Sequence, residues 1–287
     1  MENSNANSFV HAPRLGGTAN QIDQLFGPLA GLIGTWTGNR GWNLIAVPKQ
    51  NGKFQFTLLT APYFETITIS ALSTPTPNRG STTIEEVPTL LYSLQINNAV
   101  DGSLLHAENG TWLMLDKTLN EGFNIARQAA IPHGDSILAI GNISTFNGPP
   151  TFPVLNTVPV GQPPHALFGY HDPYDGASVP PGLDKKNPNA TLAEAIVGQN
   201  IIHTTTMHVS TANQGGISNI PFIKKNADAT SFEATYWLET VKDAETGKTF
   251  LQLQYSQNTS IDFFPLSTDP TQLIKWPHVN INTLTKQ

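Results

Sequence analysis

From Thr35 onward, apolar and polar residues alternate with a period of two through most of the chain, the pattern of strands with one buried face. Trp36–Gly38 and Trp42–Val47 read as a first strand interrupted at Asn39-Arg40-Gly41. Asn51-Gly52 is a hairpin signal leading into Phe54–Leu58. Tyr63–Ile69 alternates cleanly, Ser73–Gly80 reads as loop, and Thr82–Ile84, Leu90–Ile96, Leu104–Asp116, Phe123–Ile131 and Ser136–Gly141 follow as strands. Ile201–Val209, Ala229–Glu239, Thr249–Gln257 and Lys275–Thr285 complete the set, with Asn213–Ile220 as loop. Helical spacing occurs in two places. Apolar residues at 22, 25, 26, 29, 32 and 33 predict a short helix stopped by Gly34, and Asn189 is placed to cap a second over Ala190–Gly198. About ten strands joined by short turns, with no repeat of fixed period, predict an all-β fold, an antiparallel up-and-down barrel with short helices. Residues 21–287 read as one domain preceded by a flexible arm, residues 1–20.

Residues 145–200 interrupt the pattern. Their first part is rich in proline, which cannot feed a continuous ladder of hydrogen bonds. It also carries Phe146, Phe152, Leu155, Phe168, Tyr170 and Tyr174, too many apolar side chains for a disordered linker. The expectation is an ordered, mostly irregular flap that covers the mouth of the barrel.

Composition narrows the chemistry. The 287 residues contain no cysteine, which removes thiolate zinc sites, iron–sulfur clusters and cysteine nucleophiles and fits a reducing compartment. A net charge of -6 with only 15 basic residues, nowhere clustered, argues against nucleic acid as a partner. No window approaches 18 apolar residues and the first residues lack a signal-peptide pattern, so neither a membrane span nor secretion is expected, and the protein reads as cytoplasmic. Neither His-Glu-x-x-His, Gly-x-Ser-x-Gly nor a glycine-rich phosphate loop occurs.

The most informative stretch is Leu104–Asp116. On a strand, His106, Glu108, Gly110 and Trp112 share one face with Leu104 and Met114. Such a mixed face either lines a wet pocket or looks at solvent, because a tight core would leave its polar groups unpaired at about 1–3 kcal/mol each. Residues two apart on a strand are separated by roughly 6.5–7 Å, so His106 and Glu108 are expected to act on a ligand and not on each other. Each of the eight histidines can equally be a hydrogen-bonded wall or rim residue. His203 and His208 differ by five and cannot share a metal on a regular strand.

The apolar turn Gly27–Ile33 running into Gly34-Thr35-Trp36-Thr37-Gly38, the strand His106-Ala107-Glu108-Asn109-Gly110, and His278 on the last strand together resemble the nitrobindin-like family of heme-binding β-barrels. The resemblance covers roughly residues 27–143 and 228–286. It implies a calycin-like barrel, a b-type heme, and His278 as the iron ligand. It places His106 on the distal side of the pocket, and at His133 a basic side chain near a heme propionate, a role open also to Arg127 or Arg40. Trp36 joins these as a cofactor-binding candidate through the opening motif. Where nitrobindins carry a His-x-His pair, this chain has His278 and Asn280. The implied function is binding or conversion of nitric oxide, peroxynitrite or peroxide, with peroxidase or peroxynitrite isomerase-like catalysis as one form. The implied partner is a small-molecule ligand, and a homodimer is left open. The competing reading is a lipocalin-like or fatty-acid-binding-like carrier of an apolar small molecule without iron.

Overall fold

A computed structural model of the chain describes residues 18–48, 56–157, 177–265 and 273–287. The expected arm up to residue 17, the Asn51-Gly52 turn, and the part of the insertion carrying His165 and His171 lie outside the described residues. Thr18 opens the first helix, α1 (Ala19–Phe26): its side chain accepts from the Gln21 backbone while the Gln21 side chain accepts from the Thr18 N–H, a reciprocal cap. The expected single helix to Ile33 is split at Gly27-Pro28, where a 3₁₀ helix (Gly27–Leu32) takes over. Proline fits the first turn of a helix but cannot sit inside one.

Thirteen strands follow: β1 (Gly34–Pro48), β2 (Phe56–Ala71), β3 (Thr76–Arg79), β4 (Ile84–Val87), β5 (Thr89–Asn98), β6 (Leu104–Met114), β7 (Ile125–Ile131), β8 (Asp135–Phe146), β9 (Asn200–Ser210), β10 (Gly216–Asn219), β11 (Asp228–Lys242), β12 (Thr249–Pro265) and β13 (Leu273–Lys286). Ten of them form an antiparallel barrel in the order β8-β7-β6-β5-β2-β1-β13-β12-β11-β9, closed by pairing of β8 with β9; β10 pairs with the start of β8, on the same edge that β9 takes from Ile140 onward. The all-β barrel expected from the alternation is the fold. Several details differ from the sequence reading. Phe56–Leu58, the described part of the expected strand Phe54–Leu58, and Tyr63–Ile69 belong to one strand, β2, which runs through Pro62 opposite a register shift between Gly38 and Gly41 on β1. The extra β1 residue there is a bulge, and it is why Asn39-Arg40-Gly41 looked like a break. The predicted loop around residue 78 pairs with β4 as a separate two-stranded ribbon. Asn189 does not cap its helix. It lies inside α2 (Asn189–Ala195), where its buried amide donates to the Pro153 carbonyl. The predicted loop before residue 220 contains β10, and α3 (Pro221–Asn226), unforeseen in the sequence, follows it.

Interior side chains fall in three tiers. At one end, Leu29 and Leu32 of the 3₁₀ helix pack with Trp36, Leu90, Trp112, Leu253 and Leu284 and close the barrel. Burial of each such side chain is worth about 1.5–3 kcal/mol. A middle tier is polar and holds Tyr63, Glu65, Tyr92, Glu108, Arg127, Tyr255 and Asn282, all buried. The third tier, at the mouth, is a cavity. Outside the barrel, the described part of the insertion packs on the wall: Leu183 and Leu192 join Leu44, Trp237, Val279 and Ile281, with Phe152 and Leu155 against them. The insertion was expected over the mouth. Its described residues instead cover outward positions of β1, β11 and β13, because those positions are apolar and need a partner.

Candidate functional site

The mouth cavity has a volume of about 270 Å³. Its walls are mainly isoleucine, from Ile45, Ile96, Ile131, Ile137 and Ile261, with Leu105 and Phe232. Into it turn His106, Glu108, His133, Asp135, Asn43, Gln257, Thr259, His278 and Asn280. Ile223 and Ala227, from α3 and its C-terminus, bound it from above. That helix is tied down on both sides. The Ile220 N–H donates to the Gly134 carbonyl at 2.9 Å, and Asn219 donates to Asp228 Oδ1 at 2.7 Å and to the Ala229 carbonyl at 2.9 Å. Gly134 has a positive φ of 107°, and a β-carbon there would come within 2.6 Å of Ile220. The His133 turn therefore requires glycine for both backbone and packing.

Three predicted histidines converge here. His106 and His133 stack with ring centroids 5.6 Å apart and planes 19° apart. His278 comes from β13, and its Nε2 lies 2.7 Å from Asn43 Oδ1, which also accepts from Asn280 Nδ2 at 3.0 Å. An oxygen that already accepts an amide N–H needs a donor from the ring, so His278 carries its proton on Nε2 and leaves Nδ1 with a lone pair. Burial, reinforced by any charge on His106 and His133, lowers its pKa from 6.5 to about 4. The imidazole is thus neutral at ordinary pH, the form a metal requires.

Below the cavity floor, Glu108 receives Arg127 Nη2 and the Tyr92 hydroxyl on Oε1. On Oε2 it meets His106 Nε2 at 3.3 Å. The expectation that His106 and Glu108 act independently is therefore corrected. Strand spacing separates their backbones, but the imidazole and the carboxylate lean together across it. Burial pushes the Glu108 pKa up, but Arg127 and the hydrogen-bond donors outweigh it, so the carboxyl is held below the usual range. The glycine of the His-x-Glu-x-Gly pattern now has a reason. A β-carbon on Gly110 would lie 2.0 Å from the Gln128 carbonyl and 2.5 Å from the Tyr92 hydroxyl, so only glycine lets Tyr92 cross the strand to Glu108.

The remaining predicted residues sit elsewhere. Arg127 is fully inside the middle tier, over the rings of Tyr92 and Phe232 at 5.3 and 5.1 Å. It meets the cavity only through Glu108. Trp36 is apart from the cavity altogether: its indole is buried in the closed end and donates to the Leu32 carbonyl at 2.7 Å. His203 and His208 are likewise elsewhere, bonded to Asn147 and Thr235. Among residues not singled out in the sequence, Asn43 is the one that holds His278. Its signal was a lone amide in the apolar run Trp42–Val47. Ile223 gave none, since its role follows from where α3 lands.

With this geometry in place, comparison with known proteins adds a family. Residues 25–151 match the THAP4-like, heme-binding beta-barrel domain. The match takes in β1 to β8, and so includes His106, Glu108, Gly110, Arg127 and His133, but stops short of His278. No curated protein matches the sequence. Among solved structures, that of Rv2717c from M. tuberculosis is similar over 93% of this chain and 97% of its own, at 15% identity and a TM-score of 0.45. The donor set suits a heme-binding β-barrel: one neutral imidazole with a fixed tautomer, apolar walls, and a second imidazole backed by a carboxylate.

Proposed function

We propose that the chain holds one b-type heme in the mouth cavity, with His278 as iron ligand, and uses it to bind or convert nitric oxide, peroxynitrite or peroxide. The observation that carries this reading is the convergence of His278, His106 and His133 on one cavity with mainly isoleucine walls, inside a barrel whose first six strands, β1, β2 and β5 to β8, match a heme-binding family. A His-ligated iron supplies a redox-active centre with a position free for a small ligand.

The chain's own residues take separate parts. Asn43 orients the His278 ring and keeps it neutral. His106, held by Glu108, presents an imidazole that can give a proton to, or accept a hydrogen bond from, a small ligand. Arg127 and Tyr92 hold Glu108 ionised through Oε1, which leaves Oε2 to accept from His106 and orient its ring. His133 stacks on His106 and limits how far it can swing. Ile223 and its neighbours exclude water from one side of the cavity.

The test is an absorption spectrum of the purified protein titrated with hemin. A stoichiometric Soret band that His278→Ala abolishes is the expected result. A titration without that band overturns iron binding and leaves an apolar small molecule as the occupant of the same isoleucine-lined space. An unchanged band in His278→Ala overturns the ligand assignment alone.

A further inference from the structure

The middle tier contains a second carboxylate, Glu65, and nothing in the site described above uses it. The Tyr255 hydroxyl donates to Glu65 Oε2 at 2.6 Å and Asn282 Nδ2 to the same oxygen at 2.9 Å. Tyr63 Oη lies 2.8 Å from Tyr255 Oη and donates to the Ile281 carbonyl at 2.8 Å. All four side chains are buried, and among the described residues no cation pairs with Glu65. The group lies one tier below the cavity: Gln257 and Asn280, two residues along β12 and β13 from Tyr255 and Asn282, line it. Two residues of strand amount to about 7 Å. The ring of Tyr236 is 5.5 Å from that of Tyr255 and 5.1 Å from that of Trp112, so aromatic contacts continue from Tyr255 toward the closed end.

A phenol gives up an electron readily only when its proton can leave at the same time to a hydrogen-bonded base. Of the four tyrosines described inside the barrel, Tyr63 donates to a backbone carbonyl, which is no base. Tyr92 donates to Glu108, whose charge is already balanced by Arg127. Tyr236 has no carboxylate hydrogen bond among the described residues. Tyr255 alone combines a phenol with a carboxylate that no cation compensates.

We propose that Tyr255 and Glu65 form a redox-active tyrosine–carboxylate pair that delivers an electron to an oxidant in the cavity. The oxidant rests on the iron reading above: a heme held by His278 would make a peroxide, which takes two electrons and two protons to become water, the acceptor. One electron comes from Tyr255. Its O–H bond breaks, the proton passes to Glu65 Oε2, and a neutral phenoxyl radical remains. The second electron would be supplied by the bound heme, and solvent provides the protons for water. When an external reductant returns an electron, the proton goes back from Glu65.

The hydrogen-bond chain also sets a pH condition. Burial raises the Glu65 pKa to about 7. The titratable groups that face it are Tyr63, Tyr255, and Glu108 and His106 on β6, with Tyr236 beyond. When Glu65 is protonated it donates to Tyr255, Tyr255 to Tyr63, and Tyr63 to the Ile281 carbonyl. In that state every contact of the chain carries a proton, whereas with Glu65 ionised Tyr255 turns its one proton to Oε2 and Tyr63 keeps its own on the Ile281 carbonyl; once Glu65 is protonated, Tyr255 has no base. Oxidation is gained as pH rises through about 7.

The experiment has two arms. In the first, hemin-loaded protein is mixed with hydrogen peroxide, freeze-quenched and read by electron paramagnetic resonance. A tyrosyl signal is expected that is lost in Tyr255→Phe and in Glu65→Gln, kept in Tyr63→Phe, and stronger at pH 8 than at pH 6. In the second, apo protein in a Tyr170→Phe/Tyr174→Phe background is oxidised by a photogenerated ruthenium(III) polypyridine, and the phenoxyl absorption is followed. Loss of that absorption in Tyr255→Phe is expected here too. The same radical yield with and without Tyr255 in the second arm overturns the pair. A second arm that succeeds while the first shows no bound hemin overturns the iron reading and leaves the pair standing. Circular dichroism and melting curves of the three conservative variants confirm that folded proteins are compared.

Discussion

His278 on β13 and Asn43 on β1 are joined by a 2.7 Å hydrogen bond across neighbouring strands, and this bond fixes which nitrogen of the ring carries the proton. Loss of a partner that orients a ligating histidine typically costs about 10–100-fold in metal affinity. Asn43→Ala is therefore expected to weaken hemin binding by a factor in that range while His278→Ala abolishes iron ligation. Parallel hemin titrations of the two variants check the order, and equal binding by Asn43→Ala and the parent would remove Asn43 from the site.

The apo protein's pH profile should carry opposed contributions. His278 has a folded pKa near 4 against 6.5 for the free side chain, so between those values the unfolded chain binds more protons, and stability is lost as pH falls through that window. The loss is at most about 3 kcal/mol, reduced by whatever water reaches the ring. Glu65 and Glu239 are raised from 4.5 to about 7 by burial. For them the folded chain binds more protons between those values, and stability is lost as pH rises. Glu65→Gln and Glu239→Gln should thus raise the melting temperature at pH 8 relative to pH 5, and His278→Phe should flatten the acid side. A Glu65→Gln melting temperature that shifts equally at both pH values would contradict a raised Glu65 pKa.

Much of this architecture was legible from residue order, and the reasons for the exceptions are physical. Period-two alternation located the barrel strands, since one face of each is buried, and the His-x-Glu-x-Gly spacing put His106 and Glu108 on one shared face, though only the closed barrel shows that this face is the inward one. Trp36 was misplaced relative to the cavity because a motif marks a family position, whereas the tier of a barrel it occupies depends on strand tilt and stagger. The Glu65, Tyr255 and Asn282 cluster was invisible because it brings Glu65 to two strands 190 or more residues further along the chain. No local pattern encodes such a meeting. The helix over the mouth escaped for a simpler reason: six residues with a single apolar pair give too little periodicity to detect.

Breaking the Glu108–Arg127 pair should be costly. Both side chains are buried, and removing one partner strands the other charge without water, an effect of about 3–5 kcal/mol. Arg127→Met is expected to lower the denaturant midpoint accordingly, and Glu108→Gln, which keeps the shape, to lower it less. A double variant replacing both partners should recover part of the loss. If the two single effects simply add, the residues are not coupled in the folded protein.

Gly110 offers a local test of why the His-x-Glu-x-Gly strand has its glycine. An alanine there puts a methyl group against a neighbouring backbone carbonyl, which cannot rotate away, and against the Tyr92 hydroxyl. Gly110→Ala should destabilise by about 1–3 kcal/mol through forced strand displacement. Tyr92→Phe added to it should relieve little, since the Gln128 carbonyl remains. Thermal unfolding of the three proteins distinguishes backbone crowding from side-chain crowding: full rescue by Tyr92→Phe would assign the clash to the hydroxyl instead.

The insertion and the α3 helix can be separated by one pair of substitutions. Phe152 meets Trp237 edge-on at 4.8 Å on the outer wall, so Phe152→Ala removes an aromatic pair worth about 0.5–1.5 kcal/mol beyond its area and loosens the insertion. It leaves every cavity residue in place, and ligand affinity should not change. Ile223 sits over the cavity itself, although α3 is short and exposed on its other side. Ile223→Ala should cost little stability but open the mouth, raising the rate at which hemin leaves to an excess of apomyoglobin. The reverse result, with Phe152→Ala speeding hemin loss and Ile223→Ala without effect, would return the covering role to the insertion and leave α3 as a connector between β10 and β11.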